Sequence, residues 1–72
     1  MNKYIVPVCD LVTPDIWLAK YSARSLNECQ DKIMREFSET FGEEFVDYRE
    51  FLDIMDRKYN HSIGDIIDIE TL

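Results

Sequence analysis

The chain has 72 residues, a length typical of one small domain, so we predict a single domain over residues 1–72. It carries 15 acidic and 8 basic residues, and the formal net charge of −7 disfavours direct contact with nucleic acid or anionic lipid. Nearly half of the residues are apolar, which is typical of a folded chain, yet the sequence has no apolar run near the roughly 18 residues of a membrane span.

The N-terminal part predicts a β-hairpin. Residues 3–12 are nearly continuously apolar and rich in β-branched side chains, which favours a strand covered on both faces. Pro7 has no backbone N–H and therefore indicates an edge position or a bulge. Turn chemistry at residues 13–15 then leads into a second strand over residues 16–23.

The second strand alternates between two faces. The set that we expect to face the helices is apolar along its whole length and consists of Trp17, Ala19, Tyr21 and Ala23. Ile16 and Leu18 share the other face with Lys20 and Ser22, so spare apolar surface is predicted there.

Residues 25–41 have the pattern of an amphipathic helix. Ser25 and Glu28 have the spacing of a capping box, and Gly42 is the kind of residue that ends a helix in the left-handed conformation. The apolar stripe repeats at steps of three and four and consists of Leu26, Cys29, Ile33, Phe37 and Phe41.

Residues 47–60 predict a second helix. Asp47 and Glu50 have the spacing of a capping box, Val46 and Phe51 have that of a hydrophobic staple, and Asn60 is expected to end the helix. Its apolar stripe consists of Tyr48, Phe51, Leu52, Met55 and Tyr59. Ile54 lies to one side of that stripe and is free to face the sheet or a partner.

The last segment predicts a third strand. Residues 61–64 have the composition of a polar connection, and residues 65–72 are β-branched, with Ile67, Ile69 and Thr71 expected on the buried side. The pattern leaves open whether this strand pairs with the first or the second. The fold class is therefore α+β, a two-layer sandwich in the order β-β-α-α-β, with two helices on one face of a three-stranded, mainly antiparallel sheet.

The sequence shows no catalytic arrangement and no cofactor motif. Cys9 and Cys29 lie inside apolar patterns, and together with the single His61 they are too few for a metal site. A short N-terminus broken by Pro7 disfavours a signal peptide. We therefore expect a non-enzymatic, cytoplasmic protein with reduced cysteines, no metal and no cofactor, and leave open whether the two cysteines are close enough to pair.

One local resemblance points to a calcium site. Residues 45–55 resemble the end of an EF-hand loop and its exiting helix, with Glu50 at the twelfth loop position. That alignment starts the loop at Glu39 and places Phe41 where an oxygen ligand is needed and Glu44 where the family uses glycine. A degenerate calcium site is accordingly a remote alternative.

The charge distribution is the feature that best indicates a function. Carboxylates crowd around the bend between the two helices, and we call the following residues the acidic set: Glu36, Glu39, Glu43, Glu44, Asp47, Glu50 and Asp53. Displayed together, they form a surface suited to a basic partner, with fast and salt-sensitive association. An acidic face that only keeps a small protein soluble is the competing interpretation.

We expect a module that binds a protein partner with a basic surface and neither membrane nor nucleic acid directly. Its most concrete form is an inhibitor that masks the nucleic-acid-binding surface of that partner. By size and charge alone, the chain is comparable with phage-encoded anti-restriction and anti-CRISPR factors. A possible apolar contact face consists of Ile16, Leu18, Ile54 and Ile66.

The alternative function is self-association. In that hypothesis the first or the third strand pairs with its copy across a two-fold axis, and Ile16, Leu18 and Ile66 are buried between the protomers.

Overall fold

A computed structural model describes residues 1–70 and contains four strands and two helices. In chain order these are β1 (Asn2–Asp10), β2 (Asp15–Ala23), α1 (Leu26–Phe41), α2 (Tyr48–Tyr59), β3 (His61–Ile63) and β4 (Ile67–Asp68). The α+β class and the β-β-α-α-β order are confirmed. Only β4 lies within the strand predicted over residues 65–72, and β3 lies in the segment predicted as a connection. Thr71 and Leu72 lie outside the described residues.

β1 is the central strand of an antiparallel sheet. β2 pairs with one side of β1 along its whole length, from Asn2 opposite Ala23 to Asp10 opposite Asp15. β3 and β4 both pair with the other side of β1. The last segment therefore pairs with the first strand and not with the second. The edge position predicted for Pro7 is wrong, because β1 has neighbours on both sides.

The interruption between β3 and β4 lies beside Pro7. The Gly64 N–H donates to the Pro7 carbonyl at 2.8 Å, so the peptide groups of Pro7 point towards this side of the sheet. Pro7 has no N–H to donate in exchange. Between the Val8–Ile63 and Ile5–Ile67 pairs, β1 has two residues (6–7) and the facing segment has three (64–66), which is the geometry of a β-bulge. The bulge is therefore the correct one of the two predictions for Pro7. Residues 61–64 are not a polar connection, because β3 begins at His61.

Both helices begin and end as the sequence predicts. The Ser25 hydroxyl accepts a hydrogen bond from the Glu28 N–H, and the Asp47 carboxylate accepts one from the Glu50 N–H. Gly42 and Asn60 are both left-handed, with φ of 65° and 55°. Together they terminate α1 and α2.

The core lies between the helices and one face of the sheet. Its fully or nearly fully buried side chains are Tyr4, Val6, Val8, Ala23, Cys29, Ile33, Phe37, Phe51 and Met55. Ala19 and Tyr21 pack against them, as the alternation of β2 predicts. Trp17 shares this face but is 41% exposed, because it lies near the hairpin end, against the ring of His61.

Three predicted packing details are wrong, and the first is Leu26 of the predicted α1 stripe, which is 48% exposed. Val46 is 84% exposed and forms no staple, and the neighbouring Phe45 packs edge-on against Phe51 with 4.9 Å between ring centroids. In the last segment, Ile66 packs against the core, whereas Ile67 and Ile69 are partly exposed. The bulge opposite Pro7 adds a residue and so reverses the alternation that the sequence suggested.

Candidate interaction surfaces

Glu43 is held inside the connection between the helices. Its carboxylate accepts a hydrogen bond from Lys58 Nζ at 2.7 Å and another from the Tyr59 hydroxyl at 2.6 Å. The bond from Lys58, followed by that from Tyr59, lowers the pKa of Glu43. The residue thus anchors the inter-helix connection to the end of α2.

Two further members of the acidic set also have local partners. Asp47 caps α2 through the Glu50 N–H at 2.8 Å. Asp53 pairs with Arg57 one turn later, at 2.7 Å, and the Arg57 hydrogen bond lowers the pKa of Asp53. These carboxylates contribute to the helices themselves and are less available to a partner.

The remaining members are Glu36, Glu39, Glu44 and Glu50. Within residues 1–70 the ion pairs are Glu28–Lys32, Glu43–Lys58 and Asp53–Arg57, so none of these four takes part in one. Glu36, Glu39 and Glu44 are exposed.

The exposed carboxylates are spread over two sides of α1. Glu36 follows Lys32 by one turn, and Lys32 reaches the Ser22 carbonyl of β2, which places this side of α1 above the sheet edge. The negative charge of Glu36 contributes, after burial, to a raised pKa of Tyr21. Glu44 instead lines a shallow groove with Arg35 and Phe45. The acidic set is therefore distributed over α1, the inter-helix connection and α2.

The face of the sheet away from the helices has a different chemistry. We call it the open sheet face, and its members on β1 and β2 are Lys3, Ile5, Pro7, Cys9, Ile16, Leu18, Lys20 and Ser22. Ile16 and Leu18 are 72% and 56% exposed, and Ile67 of β4 lies on the same face because it pairs with Ile5. These members include two lysines and no carboxylate. Of the other residues predicted for an apolar contact face, Ile66 is partly buried against the core and Ile54 is half-buried on α2.

Sequence reasoning missed the contributions of Lys3 and Ile67 to this face. Lys3 was the first residue of a predicted strand whose faces were not assigned. The sequence pattern predicts Ile67 on the buried side, whereas its pairing with Ile5 places it on the open sheet face.

The thiols and the imidazole do not converge. Cys29 of α1 is fully buried on the helix side of the sheet, whereas Cys9 lies on the open sheet face, and both are free. His61 lies on the opposite face from Cys9, with Nδ1 2.7 Å from the Tyr59 carbonyl and its ring against Phe41. The two cysteines thus lie on opposite faces of the sheet and do not pair.

Tyr21 and Tyr48 are partly buried side chains whose hydroxyl groups are buried. Burial is the main cause that raises the pKa of Tyr48 to about 12, and burial likewise raises that of Tyr21. Both phenols are therefore protonated near neutral pH.

The geometry does not form an EF-hand loop. Glu39 and Phe41 are helical residues of α1, so a twelve-residue loop cannot begin at Glu39, and the connection to α2 is short. Within residues 1–70 there is no group of three or more His, Cys, Asp or Glu side chains placed to hold a metal ion. Neither helix in this part of the chain is long and apolar enough to cross a membrane.

Comparison with family models, with curated proteins and with solved structures finds no match for this chain. Its function is therefore argued from the two surfaces described above, the acidic helical layer formed by α1 and α2 and the open sheet face.

Proposed function

We propose that this protein is a non-enzymatic, cytoplasmic binding module whose helical layer docks on a basic surface of a protein partner. The observation that supports it is the uneven distribution of charge. Residues 25–60 carry ten of the 15 acidic residues and five of the eight basic ones, a net charge of −5, whereas the open sheet face carries Lys3 and Lys20 and no carboxylate on β1 and β2. A cationic partner is attracted to the helical side and not to the sheet side.

The exposed carboxylates that carry this function are Glu36, Glu39 and Glu44, and the partly exposed Glu50 of α2 is a fourth candidate. Glu43, Asp47 and Asp53 are occupied by local partners and chiefly hold the structure in place. In the most specific form of the proposal the basic surface is one that otherwise binds nucleic acid, so the protein acts as an inhibitor by occupying it. Carboxylates in that complex replace phosphates opposite Lys and Arg side chains.

The test begins by finding the partner through photo-crosslinking from position 39 in cells that express the protein, with position 3 on the open sheet face as the comparison. We expect crosslinks from position 39. Affinity for the captured partner should fall steeply with salt, because exposed charges are screened. An inhibitor should also displace a DNA oligonucleotide from that partner.

A matched pair of charge variants isolates the surface. The triple variant Glu36→Gln, Glu39→Gln, Glu44→Gln should weaken binding about tenfold, since exposed ion pairs contribute about 0.2–1 kcal/mol each. The control Asp15→Asn, Asp65→Asn, Glu70→Gln changes the net charge equally at exposed positions off the helices and should bind normally. Equal losses for both variants, or an affinity that does not depend on salt, would contradict the proposal.

Self-association is the second candidate. The observation that favours it is the exposure of Ile16 and Leu18 on the open sheet face, next to an unpaired strand edge. β1 cannot provide the contact proposed from the sequence, because both of its edges are occupied.

A further inference from the structure

The two edges of the sheet differ in how they are protected. One edge consists of β3 and β4, which are three and two residues long and are separated by the bulge at Gly64. Short and bulged strands resist pairing with another chain. The other edge is β2, which is nine residues long and, within residues 1–70, pairs only with β1. β2 contains the exposed Ile16 and Leu18, so it is the open edge of this sheet.

The register identifies which backbone groups of β2 are free. The carbonyls of Lys3 and Pro7 accept hydrogen bonds from the β4 and β3 side, so the odd-numbered residues of β1 point their peptide groups that way. The even-numbered residues of β1 therefore bond to β2, and the register pairs them with odd-numbered residues of β2. The peptide groups that point outward from β2 belong to Ile16, Leu18, Lys20 and Ser22.

The far end of this edge is already covered. Lys32 of α1 donates a hydrogen bond from Nζ to the Ser22 carbonyl. The unoccupied stretch is therefore residues 16–20, and Leu18 is at its centre.

We propose that β2 pairs antiparallel with β2 of a second copy of this chain, about a two-fold axis at Leu18. In this register Leu18 faces Leu18 and Ile16 faces Lys20 of the second copy. All of these residues have outward-pointing peptide groups, so each facing pair exchanges both N–H···O bonds. Both copies use the same surface, so the interface is isologous and the assembly is a closed dimer.

The side chains favour this register over its neighbours. Trp17, 41% exposed, faces the small Ala19 of the second copy, which leaves room for the indole ring. A register centred on Ala19 would use the backbone groups of Ser22 for pairing, but the Ser22 carbonyl already accepts a hydrogen bond from Lys32. A register centred on Lys20 would place the two Lys20 side chains opposite each other. Only the register centred on Leu18 uses the whole free stretch without facing like charges.

The dimer gives the second candidate, self-association, a specific strand and register, and it does not depend on docking of the helical layer to a basic partner. A two-fold axis perpendicular to the sheet places both helical layers on the same side of one continuous sheet, so two acidic layers are presented side by side. Each copy carries a net charge of −7, so screening by salt should strengthen dimerisation. The salt dependence is opposite in sign to that expected for a basic partner, and failure of either proposal can therefore be recognised separately.

The test uses the purified chain alone. Sedimentation equilibrium should show a monomer–dimer equilibrium that shifts to dimer with added NaCl. Trp17 is the single tryptophan, so its emission should shift to the blue as the dimer forms. Hydrogen exchange should slow at the Ile16, Leu18 and Lys20 amides in step with the dimer fraction. A monomer at all concentrations up to the millimolar range would overturn the proposal.

Proline variants test the register. Leu18→Pro removes an outward N–H, which the monomer tolerates at an edge, and should weaken dimerisation at least tenfold. Ser22→Pro also removes an outward N–H but lies outside the paired stretch, so it should dimerise normally. If Leu18→Pro does not fold by circular dichroism, Leu18→Lys replaces it and puts two charges on the axis. Equal weakening by substitution at 18 and at 22 would contradict the register.

Discussion

Gly64 lies against the ring of Pro7, with its N–H 2.8 Å from the Pro7 carbonyl. A Cβ on Gly64 would lie 3.2 Å from Pro7 Cγ, closer than such atoms ordinarily approach. The contact explains how a proline is accommodated in the central strand. The neighbouring strand is interrupted where the proline lacks its N–H, and glycine lets the backbone pass close to the ring.

We predict that Gly64→Ala destabilises the fold by about 1 kcal/mol or more, because the added methyl group overpacks against a strand held on both sides. Chemical denaturation measures the change. In a Pro7→Ala background the ring atoms Cγ and Cδ are gone, so the same substitution should cost less. A cost that is equal in both backgrounds would show that Cγ and Cδ of the Pro7 ring are not the cause.

Phe45 and Val46 provide a test of how the chain enters α2. Phe45 stacks edge-on against the buried Phe51, whereas Val46 is 84% exposed. Phe45→Ala should therefore lower the free energy of unfolding by about 1–2 kcal/mol through lost aromatic contact. Val46→Ala should change it by less than about 0.5 kcal/mol, as is usual for surface substitutions. A larger loss of stability for Val46→Ala than for Phe45→Ala would instead support the hydrophobic staple between Val46 and Phe51 that the sequence predicts.

The Glu43–Lys58 contact predicts a loss of stability in acid. Because the pKa of Glu43 is lowered in the folded protein, the unfolded chain binds more protons there. The stabilisation is fully present above the ordinary pKa of 4.5 and is lost as the pH falls through the lower pKa of the folded state.

Carboxyl NMR titration checks this assignment. Lys58→Met removes the main cause of the shift, so the pKa of Glu43 should rise towards its ordinary value. Asp10 is the internal control, since the backbone amides of Val12 and Thr13 lower its pKa independently of Lys58. The assignment fails if Lys58→Met leaves the pKa of Glu43 unchanged.

The two cysteines should differ in reactivity. Cys29 is fully buried, and burial raises the pKa of its thiol, whereas Cys9 is partly exposed on the open sheet face. Ellman's reagent at neutral pH should label Cys9 quickly and Cys29 only when the protein unfolds locally or globally. Cys9→Ser should abolish the fast phase. Two fast thiols, or none because of a disulfide, would be inconsistent with this placement.

Local signals in the sequence determined the helices. Ser25, Gly42, Asp47 and Asn60 occupy the cap positions predicted for them because capping depends on side chains within a few residues of each helix end. The alternation of β2 likewise assigned its faces correctly, since a period of two in one strand needs no knowledge of its neighbours.

Contacts between distant segments decided the rest. The sequence did not specify which side of β1 receives the last segment, and the reversed faces of Ile66 and Ile67 follow from the bulge beside Pro7. The acidic set is clustered in sequence between residues 36 and 53, yet three of its members have local partners. One of them, Glu43, is paired with Lys58 of α2. The sequence by itself therefore determined the two helices, their caps and the β1–β2 hairpin, which are local. Only the tertiary structure decided strand order, the open edge and the charges left free, because each depends on residues far apart in sequence.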